Sequence, residues 1–180
     1  METPRTLKII RMGDPVLTAT AKEVQDPKAP EVQKIISDML ETAHDYGNLA
    51  GLAAPQVKIS YRIVLFYLPK EQSDEMTLTL MINPTWEPCS EDMGADWEGC
   101  LSIPGLVGYV PRYTHIRYSY STPQGELIHT EATGFHARVV QHECDHLDGR
   151  LYPQRMSDMS RMAYVEEFRQ FLKPKVASAG

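Results

Sequence analysis

Residues 114–133 read Thr-His-Ile-Arg-Tyr-Ser-Tyr-Ser-Thr-Pro-Gln-Gly-Glu-Leu-Ile-His-Thr-Glu-Ala-Thr. Two runs rich in β-branched and aromatic residues flank Pro123-Gln124-Gly125-Glu126, whose Pro and Gly suit a tight turn. Residues 114–122 and 127–133 are therefore expected to form a β-hairpin. Residues 61–68 and 77–82 have the same character and read as further strands. Helical patterns lie outside this block. From Pro30, apolar residues fall at Val32, Ile35, Ile36, Met39, Leu40 and Ala43, a 3.6-residue stripe that Gly47 is suited to end. Residues 135–147 contain no Gly or Pro and carry Val139, Val140 and Leu147, which predicts a second helix ending near Gly149. A last helix is expected over 158–172, with Ser157 as N-cap, apolar positions at Met159, Met162, Ala163, Val165, Phe168 and Leu172, and Pro174 beyond its end. Strands grouped apart from helices predict an α+β fold. Its mostly antiparallel sheets pack around the helix 135–147, with an amphipathic N-terminal helix and a C-terminal helix.

The chain has 180 residues, 42% apolar and 23% charged, which fits one domain over 1–180. Eighteen basic against 24 acidic residues leave a net charge of -6, so a uniformly basic nucleic-acid footprint is absent. Three cysteines make no disulfide framework and favour a reducing compartment. The first ten residues carry Glu2, Pro4, Arg5 and Lys8, so no secretory leader is expected. No stretch approaches the roughly 18 apolar residues of a membrane span, and a soluble cytosolic protein with no membrane partner is expected.

Gln141-His142-Glu143-Cys144-Asp145-His146 carries the chemistry. At about 100° per residue, positions four apart share a helix face, so His142 and His146 converge on one point where a metal can bind. Glu143 lies beside the first of them, placed to accept a proton from a metal-activated water without being a ligand. Two histidines leave the metal short of protein ligands. Cys89, Cys100, His44, His115, His129, His136 and the carboxylates are all available as a third. No His follows His146, and Glu166 and Glu167 read as a solvated helix face. Cys100 stands out, set in Trp97-Glu98-Gly99-Cys100-Leu101-Ser102-Ile103-Pro104-Gly105, where turn formers mix with large apolar groups. A thiolate there would bias the site toward iron or zinc. Asp145 reads as a partner to the ligands or a solvated acid, Asp148 as solvated, and Cys144 as a buried apolar residue. The other histidines read as surface or core, Trp86 and Trp97 as packing anchors, Cys89 as structural, and Met156, Met159 and Met162 as core or interface filler.

Three segments, in order, resemble one family: Gly51-Leu52-Ala53-Ala54-Pro55-Gln56, Glu98-Gly99-Cys100-Leu101-Ser102, and Gln141-His142-Glu143-Cys144-Asp145-His146-Leu147-Asp148-Gly149. They are similar to the peptide deformylases, which remove the formyl group from N-terminal formylmethionine and release formate. The resemblance implies metal ligands Cys100, His142 and His146, with water in the fourth position. It implies Glu143 as general base and then acid. The Gln56 amide and the Leu101 N–H would bind the formyl oxygen, and backbone around Gly51 would hold the peptide. One divalent metal is implied, Fe(II) in the cell and Zn, Ni or Co in purified protein. The implied substrates are N-formylmethionyl nascent peptides, with the ribosome as an associated partner. The setting would be a bacterial cytoplasm, or an organelle for a processed form.

Glu98 is expected to position Arg112, as the family pairs an acid and an arginine at these places. Two positions depart from the family pattern. Leu49 stands where a glycine is common, and Arg138 where an apolar residue commonly lines the methionine pocket. Phe135 and Val139 are accordingly expected inside that pocket. Arg138 is expected at its mouth with its charged head in water, because an unpaired buried guanidinium is too costly. Residues 135–140 resemble the branch that includes mitochondrial and plastid enzymes. A general zinc endopeptidase would share the two histidines but leave Cys100 and the Ala-Ala-Pro-Gln segment without a role. A non-catalytic binding module would need neither Glu143 nor Gln56.

Overall fold

In the computed structural model, which describes residues 3–47, 49–69 and 76–173, a five-stranded antiparallel sheet lies between two helices. Helix α1 is Pro30–Tyr46, opened by the proline expected at its first turn and closed by Gly47 at φ 82°. Its apolar stripe buries Val32, Ile36, Met39 and Ala43. Strand β1 is Gly51–Ala53, β2 is Ile63–Pro69 and β3 is Met76–Pro88. Strands β4, Met93–Cys100, and β5, Ile103–Tyr113, form a hairpin. The hairpin expected around Pro123 is present as β6, His115–Ser121, and β7, Leu127–Thr133. Helix α2 is Gly134–Leu147, one residue longer than expected, with Gly149 beyond its end at φ 68°.

The large sheet runs β1-β2-β3-β6-β7. Strand β2 is covered on both faces, which explains its unbroken apolar run. Val64 and Phe66 pack with Val139, Val140, Cys144 and Leu147 of α2. Ile63 and Leu65 pack with Val32, Ile36 and Met39 of α1. On β6, Ile116 and Tyr118 face the core while Arg117 faces solvent, the two-residue period of a half-covered strand. Strand β3 runs six residues past its expected end at Ile82, because Asn83 at φ 52° absorbs a register shift against β6 and pairing then resumes.

The second sheet, β4 and β5 with a short third strand, holds the largest departures from expectation. The expected helix 158–172 does not begin at Ser157. Asp158 instead caps a short turn through the Ser160 amide, and Met162–Tyr164 forms strand β8 against Leu106–Gly108 of β5. Helical structure starts at Val165 (α3, Val165–Glu167) and widens into a looser coil over Phe168–Leu172. The unpaired edge of β5 takes the segment that propensity assigns to a helix, and the Arg161 guanidinium rests 3.5 Å over the Tyr109 ring. Met159 is exposed rather than core, whereas Met156 and Met162 pack beside Ile103, Val110 and Tyr152. Pro174 lies outside the described residues.

Candidate active site

The two sheets and α2 meet around a cavity of about 440 Å³. Cys100 closes β4, and Leu101-Ser102 turns the chain into β5. His142 and His146 stand one helical turn apart on α2, ring centroids 5.0 Å apart. The Cys100 Sγ is 3.4 Å from His146 Nε2, and one donor atom from each of Cys100, His142 and His146 lies within 4.8 Å of the other two. One thiolate and two imidazoles are a donor set suited to a first-row divalent cation, so these residues fit the metal that the sequence implies.

A buried charge network holds one of the donors, His142. Glu98 receives Arg112 Nε and Nη2 at 2.9 Å, Arg138 Nη1 at 2.7 Å and His142 Nδ1 at 2.9 Å. Burial would raise the Glu98 carboxyl, but hydrogen bonds from His142 and Arg112 outweigh it and hold the group well below the usual range. It is an acceptor only, so His142 donates through Nδ1 and turns Nε2 toward the donor cluster. Burial and the neighbouring positive groups push His146 well down, which keeps its ring neutral. Asp145 is buried between Arg112, Nη1 at 2.5 Å, and Arg155, Nη2 at 2.6 Å, so it belongs to the network beside the donor cluster and is not a solvated acid. Asp148 is exposed and pairs with Arg62. Cys144 is buried with its thiol pushed up by that burial, as a packing residue should be.

Glu143 lines the cavity at 4% exposure, and its Oε2 has no hydrogen-bond partner among the described residues. Burial pushes its carboxyl up to about 7, His142 opposing and Glu98 adding to the rise. Gly51 packs directly on it: an added Cβ would fall 2.7 Å from Glu143 Cδ. The requirement for glycine at 51 is thus contact with the acid itself. Gln56 is fixed by its own strand end. Its Oε1 accepts from the Ala53 amide at 2.9 Å, which leaves Nε2 beside Cys100 Sγ at 3.5 Å and Ser102 Oγ at 3.2 Å. Leu101, Phe135 and Val139 line the same cavity, joined by Trp97 and Val165.

Trp97 is a packing anchor as expected, against Tyr109 and Phe168, and a cavity wall as well. Arg138 is corrected. Its head is not in water: the side chain is 11% exposed, and Nη1 also reaches Val110 O at 2.8 Å while Nη2 reaches Gly94 O at 2.8 Å. A carboxylate and two carbonyls remove the penalty that argued for a solvated head. Two positioning residues escaped the sequence. Gln141 clasps both backbone groups of Tyr113, Oε1 at 3.0 Å and Nε2 at 2.8 Å, and so docks α2 on β5. Arg155 completes Asp145. For Gln141 the available signal was a buried amide inside the helix motif; for Arg155 there was none.

Among the described residues, two other groups of metal-type donors lie together, Cys89-His115-Glu131 and Glu41-His44-Asp45. In the first, the Arg117 guanidinium stands 3.3 Å from Glu131, opposing a cation there. No helix of the described residues is long and apolar enough to cross a membrane.

A buried, unpartnered glutamate beside a Cys-His-His cluster, facing a cleft with an amide donor on its far wall, is the equipment of a hydrolase. Residues 6–162 match the family model of polypeptide deformylase. Peptide deformylase 1 of Bordetella pertussis is 49% identical over 163 residues, covering 88% of this chain and 92% of that protein. The crystal structure of peptide deformylase from Thermotoga maritima superposes with a TM-score of 0.77 at 35% identity, covering 86% of this chain and 99% of that one. A Met-Ala-Ser-bound class I type b peptide deformylase from Acinetobacter baumannii gives 0.75 at 33% identity, covering 84% and 98%. The chain belongs to the polypeptide deformylase family, hydrolases that remove the N-formyl group from nascent peptides.

Proposed function

We propose that Cys100, His142 and His146 hold one divalent cation, and that Glu143, Gln56 and Leu101 perform the hydrolysis around it. The observation that carries this is the three-donor cluster at the wall of the cavity, which Cys100 and His142 line together with Glu143, whose Oε2 is unpartnered among the described residues. A cation held there supplies Lewis acidity, making water nucleophilic near neutral pH and polarising the formyl group. Glu143 takes a proton from the attacking water and returns it to the leaving amine as the C–N bond breaks, giving formate and a free N-terminus. A carboxyl pushed up to about 7 suits both transfers. Gln56 Nε2 and the Leu101 N–H donate to the formyl oxygen as it becomes negative, and the bond from the Ala53 amide keeps the Gln56 amide turned that way.

Strand β1 is an edge of the large sheet, and Leu49 and Gly51 line the cavity beside it. An extended peptide adds to that edge through backbone bonds, with tolerance beyond its first residue. The methionine side chain lies against Phe135 and Val139. The Met-Ala-Ser bound to the Acinetobacter enzyme is a peptide of this kind. The metal is Fe(II) in the cell, with Zn, Ni or Co able to take the same donors. Nascent substrates place the protein in the bacterial cytoplasm, beside the ribosome.

The test is anaerobic purification, metal analysis and a formate-release assay on a formyl-methionyl peptide. One equivalent of metal and formate release are expected, both lost in Cys100→Ala. A metal-loaded Cys100→Ala retaining full activity overturns the ligand set.

A further inference from the structure

Cys100 sits at the tip of the β4–β5 hairpin, whereas His142 and His146 sit on α2, so the donor cluster exists only if these two elements keep their spacing. Arg112 makes one link, joining Glu98 on β4 to Asp145 on α2. Arg138 makes another. It lies one turn before His142 on α2, and its guanidinium reaches β4 twice, at Glu98 and Gly94, and β5 once, at Val110. Glu98 is two residues before Cys100 and also accepts from His142 Nδ1. Arg138 therefore touches both sides of the cluster through one carboxylate, without touching a donor atom. All of these bonds are to protein acceptors, and the side chain also forms part of the cavity wall.

Resting on the metal reading above, we infer that Arg138 is a positioning residue. It locks Glu98 so that the carboxylate holds the His142 ring at one angle and keeps the Cys100 hairpin tip at a fixed distance from α2. The apolar residue common at this place in the family would leave Glu98 Oε1 with Arg112 Nε alone. Partners behind a metal-ligating histidine typically change metal affinity or activity by about 10–100-fold when removed. Arg138 is expected to act in that range, through metal retention and turnover rather than substrate affinity.

The experiment compares wild type, Arg138→Met and Arg138→Lys, each loaded with one equivalent of Ni(II). Metal release into excess chelator is measured beside kcat and KM for a formyl-methionyl tripeptide, with urea unfolding as the check on folding. The Met variant is expected to release metal about 10–100-fold faster with reduced kcat and KM within about twofold. Lys keeps a charged donor for Glu98, but a single nitrogen lacks the fork that reaches Glu98 and Val110 through Nη1 and Gly94 through Nη2, so it should fall between the two. If the Met variant does not fold, the Lys variant carries the test by the same readout. Unchanged release from a folded variant overturns the inference. So does a raised KM with unchanged release, which would make Arg138 a substrate-binding residue. A wild type that binds no metal would instead sink the metal reading, a distinguishable failure.

Discussion

The protein builds two networks from the same residue types and gives them opposite settings. On the solvent face of β3, β6 and β7, Arg117 bridges Glu87 at 3.4 Å and Glu131 at 3.3 Å, and His115 meets Glu131 at 2.9 Å. Beneath the cavity, Arg112 bridges Glu98 and Asp145, with Arg138, Arg155 and His142 filling the remaining positions. Exposed pairs are screened and contribute little. Buried charges lose their water, so each oxygen must find donors or the fold loses stability. Glu98 has two donors on each oxygen. The lesson is that charge pairing here becomes architecture only where water is excluded. Among the described residues, the one buried carboxylate oxygen left without a partner, Glu143 Oε2, is the one that the proposed chemistry uses.

The strongest way to break this comparison is Glu143→Gln, which removes the unpartnered acid and keeps every network contact. Formate release should fall about 10²–10⁴-fold with metal content unchanged. Metal loss in proportion to activity would place Glu143 among the supports instead. Next comes Glu98→Gln, which leaves Arg138 without a carboxylate and Arg112 with Asp145 alone, and should cost about 3–5 kcal/mol in urea unfolding. The Glu98 carboxyl is held below its ordinary value of 4.5, so its contribution is present above pH 4.5 and lost as pH falls through the folded value. The gap between wild type and Glu98→Gln should therefore narrow as the pH is lowered below about 4.5.

Gly51→Ala tests whether backbone packing holds Glu143 as the networks hold Glu98. Its Cβ must displace the carboxylate, and a shift of about 1 Å can lower turnover about 10²-fold. Activity near that of wild type would show that Glu143 tolerates movement. The smallest effect belongs to Glu131→Gln. Glu131 is also held low, by His115 and Arg117, so its contribution has the same sign with pH. In about 1 M salt, where the Debye length is about 3 Å, its unfolding midpoint should coincide with that of wild type. A midpoint difference that survives salt would mean the surface network is structural after all.

Periodicity located α1, a run free of Gly and Pro located α2, and β-rich composition on either side of Pro123 and Gly125 located the β6–β7 hairpin, because each of these signals is local in sequence. The two histidines and Glu143 were legible for the same reason, since a helix turns spacing into a shared face. The β4–β5 hairpin was not: Gly99, Pro104 and Gly105 read as turn formers, and the strand carries Gly108 as the gap into which Tyr152 and Met156 pack. Cys100 was accordingly visible as a candidate and only the resemblance chose it. The C-terminal helix gave way to β8 because the open edge of β5 lies about 55 residues earlier in the sequence. Arg138 separates the two kinds of knowledge most sharply. From the chain alone its guanidinium belonged in water, since burial without partners is costly. Only the fold could bring Glu98, Gly94 and Val110 to it, because partners distant in sequence and contributed by different strands leave no periodic signal.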